Sequence, residues 1–206
     1  MKDQAPPDAA RRAAVTIRDA RPGDIDAITA IYNHAVEHST AIWNEIKVDA
    51  ANRRAWLADR QQAGYPVLVA VGDRGGDTGG EDVLGYASFG DWRAWDGYRH
   101  TVEHSVYVRA DQRGKGIGKA LMQVLIDRAR RIGKHVMVAG IEAGNEGSIR
   151  LHEQLGFEQG GHLKQVGMKF DRWLDLLFLY LILDQRDHPN AATGPDATEE
   201  PNATEG

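Results

Sequence analysis

Apolar residues recur at Ile117, Ala120, Leu121, Val124, Leu125, Ala129 and Ile132, the spacing of one buried face of an α-helix. Shorter apolar runs bracket it. Val67-Leu68-Val69-Ala70-Val71, Val83 to Phe89, Thr101 to Val108 and His135 to Ile141 are of strand length and rich in β-branched residues. A first strand is predicted at Ala14 to Arg18, and two last strands near Leu163 to Lys169 and Leu174 to Leu183. Between the first and second strands, Pro22-Gly23 turns the chain. Asp24 then stands as N-cap of a helix whose face is Ile25, Ile28 and Ile31, and a second helical stretch covers Arg53 to Gln62. A short helix from Glu146 to Leu155 ends at Gly156, a C′ glycine. The order β-α-α-β-β-β-α-β-α-β-β predicts an α/β chain, in the broader sense α+β, with a mixed sheet covered by helices.

Outside residues 14–184 this patterning stops. Residues 1–13 read as a flexible segment and 185–206, with its Pro, Asn and Glu, as a disordered tail, so 14–184 is expected to form a single domain. The 206 residues contain 42% hydrophobic and 27% charged side chains, which suits one ordinary globular core. No stretch has the apolar length of a signal peptide or a membrane span, so the chain reads as cytoplasmic with no membrane partner. The absence of cysteine excludes disulfides, thiolate zinc sites and an acyl-cysteine intermediate. A net charge of -5 argues against nucleic acid as the main partner, while a local basic patch still suits a phosphate-bearing small molecule.

That patch stands before the strongest helix. Arg113-Gly114-Lys115-Gly116-Ile117-Gly118-Lys119 follows a strand directly, so unblocked backbone N–H groups, two lysines and an arginine meet at a helix N-terminus. This is the chemistry of a diphosphate site. Neither familiar glycine motif accounts for it: a dinucleotide fingerprint from Gly114 needs glycine where Lys119 stands, and a P-loop needs four residues where Lys115 is followed at once by Gly116. The other glycine-rich stretch, Gly72 to Gly80, joins two strands and leads into no helix, so it reads as a flexible hairpin loop.

Gln112-Arg113-Gly114-Lys115-Gly116-Ile117-Gly118 resembles the R/Q-x-x-G-x-G/A signature of the GNAT N-acetyltransferases. Thr101 to Val108 and Ser148 to Phe157 are similar to the phosphinothricin and methionine sulfoximine acetyltransferase branch of that family, over about Val15 to Leu183. The resemblance implies a mostly antiparallel sheet of about seven strands flanked by about four helices. It implies acetyl-CoA as co-substrate, held by Val106, Tyr107, Val108, Arg113, Gly114, Lys115, Gly116, Ile117, Gly118, Lys119 and Asn145. Its acceptor would be a small amino-acid-like amine: methionine sulfoximine, methionine sulfone or phosphinothricin. Arg93, Ala94, Trp95, Glu103, His104 and Ser105 would contact that acceptor, and a homodimer is implied.

Acetyl transfer to an amine needs that amine neutral, which calls for a base. Strand alternation puts Glu103, Ser105 and Tyr107 on one face of their strand and Val102, His104, Val106 and Val108 on the other. On the residues alone Glu103 is either that base or a solvated side chain of an edge strand; the resemblance favours the base. Strand amides around Val106 to Val108 would serve an oxyanion if a splay leaves them unpaired. His152 is the second catalytic candidate by resemblance, and otherwise a satisfied helix-face imidazole; Asn145 is otherwise a plain N-cap. Arg93, between Trp92 and Trp95, suits an α-carboxylate, or belongs to an ordinary surface loop. No metal site is expected, since His100 and His104 lie about 13 Å apart by strand rise. Acetylation of a protein N-terminus or an antibiotic, and a non-catalytic acyl-CoA-binding module, remain the competing readings.

Overall fold

A computed structural model describes residues 15–73, 80–189 and 191. The expected flexible start at 1–13, most of the connection from Gly72 to Gly80 and most of the tail fall outside these residues. Seven strands form one sheet: β1 Thr16–Asp19, β2 Val67–Asp73, β3 Glu81–Asp91, β4 Thr101–Val108, β5 Val136–Glu142, β6 Glu158–Lys169 and β7 Arg172–Ile182. Their order is β1-β2-β3-β4-β5-β7-β6, antiparallel throughout except for the parallel β4–β5 pair. Helices α1 Ile25–His38, α2 Ala50–Gln62, α3 Ile117–Arg131 and α4 Glu146–Glu153 complete the fold.

The apolar run of β2 is continuous because both of its faces are covered. Leu68 and Ala70 join the core beneath α3, with Leu121, Met122 and Leu125, while Val67, Val69 and Val71 join Ile25, Ile28, Ile31 and Leu57 of α1 and α2. The sheet therefore lies between α3 on one side and α1 with α2 on the other.

Local contacts account for several departures from the expected caps and bounds. Asp24 precedes α1, yet its carboxylate makes no cap bond to that helix; it accepts from the Arg21 N–H at 2.7 Å and pairs with Arg18 at 2.8 Å. A two-pronged guanidinium outcompetes the helix amides for it. Strand β6 begins at Glu158, five residues before the apolar run near Leu163, because it is an edge strand exposed on both faces and has no burial to impose alternation. Past residue 184 the chain is still held, by the Arg186–Asp184 ion pair at 2.8 Å and by Arg186 Nη2 donating to the Gly133 carbonyl at 3.1 Å.

One segment with no periodicity is fixed from the opposite edge of the sheet. Lys169 is 2% exposed and donates from Nζ to the Ser39 carbonyl at 2.8 Å and to the Ile42 carbonyl. The Trp43 ring packs against Gly167, where a Cβ would meet it at 2.0 Å, and Thr40 Oγ1 donates to Glu142 Oε2 at 3.0 Å. Residues 39–43 are thereby pinned beside β5.

Candidate active site

The parallel β4–β5 pairing runs only through Thr101↔Val136, Val102↔Met137 and Glu103↔Val138, after which the two strands part. On its other edge β4 stays paired with β3 to Gly85↔Val108. The phase of that ladder is set at both ends, by Arg109 N–H donating to Leu84 at 2.9 Å and Trp92 N–H to Thr101 at 3.4 Å. Antiparallel alternation then turns the Tyr107 amide to β3 and the Val106 and Val108 amides into the fork. Two of the three expected strand amides thus face the gap.

The fork opens into a cleft of about 600 Å³ whose walls include Val106, Val108, Arg113, Gly118, Asn145 and Ala41. An inner chamber of about 80 Å³ shares Ala41, Val106, Tyr107, Asn145 and Ser148 with it. At the outer wall Gly114 and Gly116 adopt φ of 74° and 83°, and no side chain caps α3. The first amides of the helix, at Ile117, Gly118 and Lys119, have no partner within it. Their partial positive charge joins Arg113 and Lys119 on the same wall. Lys115 departs from expectation: it is absent from the cleft lining, and its Nζ donates to Gln112 Oε1 at 2.9 Å. Amides for a diphosphate, strand amides for a carbonyl oxygen and a space between them fit an acyl-CoA.

Glu103 sits where the ladder ends. Its Oε1 lies 3.1 Å from the point a Cβ on Gly140 would occupy, so the bare glycine of β5 makes room for the carboxylate. The carboxyl is half-buried, and burial raises its pKa above the ordinary value against the opposing charge of Arg93. Arg93 itself is exposed, stacked 4.5 Å from the centre of the Trp92 ring and donating to the Trp92 carbonyl at 2.9 Å. Trp95 is 70% exposed, and neither it nor Ala94 walls the cleft. The base of this loop is firm: Lys134 Nζ donates to the Arg99 carbonyl at 2.6 Å and to the Tyr65 hydroxyl at 3.1 Å, and that hydroxyl donates to Asp91.

On the opposite face of β4 two histidines meet. His152, 1% exposed, bonds through Nδ1 to the Ser148 carbonyl at 2.7 Å, and its Nε2 lies 3.1 Å from Nε2 of His104. Phe157 packs edge-on against both rings, and His104 and His152 both line the inner chamber. Burial lowers the pKa of each, and for His104 the charge on His152 lowers it further. Asn145 caps α4 as expected, its Oδ1 accepting from the Ser148 N–H at 3.1 Å, while also walling the cleft.

Sequence reasoning missed Ser39, Ala41, Gly140 and Glu142. The first two lie in a segment whose position comes from Lys169 and Glu142, contacts distant in sequence.

The sequence model of the acetyltransferase (GNAT) family matches residues 28–157. The L-methionine sulfoximine/L-methionine sulfone acetyltransferase of Pseudomonas aeruginosa is 60% identical over 171 residues, 83% of this chain and 96% of the relative. The structure of yncA from Salmonella typhimurium with its cofactor acetyl-CoA has a TM-score of 0.81 at 57% identity, covering 87% of this chain and 99% of that one. Ribosomal-protein-alanine N-acetyltransferase from Brucella melitensis gives 0.75 at 52% identity, covering 81% and 99%. The glycine-started helix, the forked strands and these likenesses agree, and the chain belongs to the GNAT family of acetyltransferases.

Proposed function

We propose that this protein moves the acetyl group of acetyl-CoA directly onto the amine of a small amino acid, methionine sulfoximine or methionine sulfone foremost and phosphinothricin after them. The observation that carries the reading is Glu103, a half-buried carboxylate at the point where β4 and β5 part to form an amide-lined fork. Acetyl-CoA, when bound, supplies an activated acyl carbon and a thiol leaving group. The amides of Ile117, Gly118 and Lys119, with Arg113, hold its diphosphate. Val106 and Val108 N–H face its carbonyl and pantetheine arm, beside Asn145. Glu103 takes a proton from the incoming ammonium, Arg93 attracts the acceptor's carboxylate, and the pair His104 and His152 handles a second proton. The name of the Pseudomonas relative supports the substrate choice. The likeness to the Brucella ribosomal-protein-alanine N-acetyltransferase favours a second reading, a protein N-terminus as acceptor.

Thiol release from acetyl-CoA, screened over sulfoximine, sulfone, phosphinothricin, ordinary amino acids and alanine-starting peptides, separates the two. Release with the sulfoximine and sulfone is expected. Release with peptides alone overturns the small-molecule reading.

The same reading places one domain, residues 14–184, in the cytoplasm as a homodimer. No helix among the described residues is long and apolar enough to cross a membrane. Leu163, Val166, Met168, Phe170 and Trp173 on the β6–β7 edge are between 45% and 67% exposed, an apolar border next to unpaired strand groups. A second copy covering that edge would also lie near residues 39–43, which β6 holds. Sedimentation should give twice the chain mass, and Trp173→Glu should reduce it to one; a monomeric wild type removes the dimer from the proposal.

A further inference from the structure

A segment that belongs to no helix or strand must find other partners for its backbone groups. Residues 39–43, between α1 and α2, find them through the β6–β7 hairpin. The Ser39 and Ile42 carbonyls accept from Lys169 Nζ, and the Thr40 carbonyl accepts from Trp43 Nε1 at 2.9 Å. Trp43 is itself seated against Gly167 of β6. The hairpin reaches this far because the β5–β7 ladder ends at Glu142↔Leu176, whereas β6 and β7 stay paired to Lys169↔Arg172. Its tip therefore projects past the end of β5.

That tip is built against local preference. Phe170 and Asp171 form its two-residue turn with φ of 52° and 55°, left-handed backbone that glycine or asparagine would adopt more readily. The turn sets the Phe170 ring with its centre 5.0 Å from the Lys169 ammonium. Two carbonyls and a ring face thus replace the water that a lysine 2% exposed has lost. The ammonium also stands just beyond the last turn of α1, where the final helix carbonyls gather partial negative charge. A methionine in its place would fill the space and offer those carbonyls nothing.

What the ammonium holds is part of the site. Ser39 and Ala41 wall the cofactor cleft, and Ala41 also walls the inner chamber with Val106 and Tyr107. Lys169 is in neither lining. We propose that Lys169 is a positioning residue for acetyl-CoA: from the far edge of the sheet it fixes Ser39 and Ala41 as a wall of the cleft that receives the cofactor. The inference rests on the placement of acetyl-CoA given above. Thr40, between the two wall residues, is fastened separately to Glu142 of β5, which sets the segment against the strand but leaves the Ser39 and Ile42 carbonyls to Lys169. Without the lysine those carbonyls turn toward water, and the wall moves with them.

The test is acetyl-CoA affinity of the full-length protein, measured by titration calorimetry well below the melting temperature. In Lys169→Met the Kd is expected to rise about tenfold, the scale on which a displaced positioning contact acts. Lys169→Arg keeps the charge and the N–H donors and should stay within about threefold of the wild type. With saturating acetyl-CoA the kcat of Lys169→Met should change by less than about threefold, since the loss lies in binding. A Lys169→Met protein that melts earlier yet binds acetyl-CoA as the wild type does overturns the inference, because a merely structural lysine gives that result. Hydrogen exchange on the wild type decides the matter where the variant fails to fold. Amides of residues 39–43 should exchange more slowly once acetyl-CoA is bound, and unchanged exchange there at saturation also overturns the inference. If the wild type releases no thiol with any amine, the acetyl-transfer reading fails, while affinity and exchange still decide the role of Lys169.

Discussion

Replacing Glu103 with glutamine is expected to lower kcat by about 10²- to 10⁴-fold, the usual contribution of a positioned general base. Acetyl-CoA affinity should hardly change, because Glu103 is not among the residues that wall the cleft. The acidic limb of kcat/KM reports the same group. Burial raises the Glu103 carboxyl, so the limb should lie above the ordinary glutamate value of about 4.3. Arg93 opposes that rise, so Arg93→Ala should move the limb further up. Stability should move the other way from activity. A folded pKa above the unfolded one means the native state favours the proton: that contribution is complete below the unfolded pKa and is lost as pH rises through the folded one. Glutamine mimics the protonated form permanently. Glu103→Gln should therefore melt higher than wild type at neutral pH, with the difference vanishing as pH falls below the carboxylate range. Full turnover in the variant would remove Glu103 from the mechanism, and an unchanged melting curve at pH 7 would remove the burial argument.

How far the sequence alone reaches is clearest on β4. Its alternation places Glu103 and Tyr107 on one face and His104 and Val106 on the other, and the side chains do divide that way, Tyr107 meeting Tyr32 and Tyr86, His104 meeting His152 and Phe157. Period 2 is a local property and survives any tertiary arrangement. The fork is not local. It depends on where β5 leaves β4, and no residue of β4 specifies that; Gly140 marks it only once Glu103 is seen beside it. Likewise α3 was legible because a single buried face sets its period, whereas β6, an edge strand, begins among Glu158, Gln159 and Gly160 with no buried face to impose one. The histidine pair lies between these cases. Each ring was legible as a candidate, but which nitrogen is spent follows from the carbonyl of Ser148, and that is a fact of helix geometry in three dimensions.

Gly116→Val should raise the KM for acetyl-CoA by about 10- to 100-fold, on the cost of forcing a β-branched residue into left-handed backbone. Gly116 sits at φ 83° as the residue before α3, and nothing lies within 4 Å of the Cβ it lacks. The demand there is purely conformational: a side chain fits the space, yet the backbone angle does not suit it. The protein can relieve the strain by unwinding the first turn of α3, which turns the amides of Ile117, Gly118 and Lys119 away from a common point. Those amides are what the phosphates need, so the loss should appear in KM rather than in kcat at saturating acetyl-CoA. Asparagine tolerates left-handed backbone better than other non-glycine residues, so Gly116→Asn should keep most of the affinity. Gly118 offers the complementary case. A Cβ there would make ordinary contacts with Leu151 at 3.5 Å and Val108 at 3.7 Å, so Gly118→Ala fits the fold and any rise in KM reports crowding of the ligand. A Gly116→Val variant that melts earlier but binds acetyl-CoA as the wild type does would show that this glycine serves only the helix start, and the diphosphate would have to be placed elsewhere in the cleft.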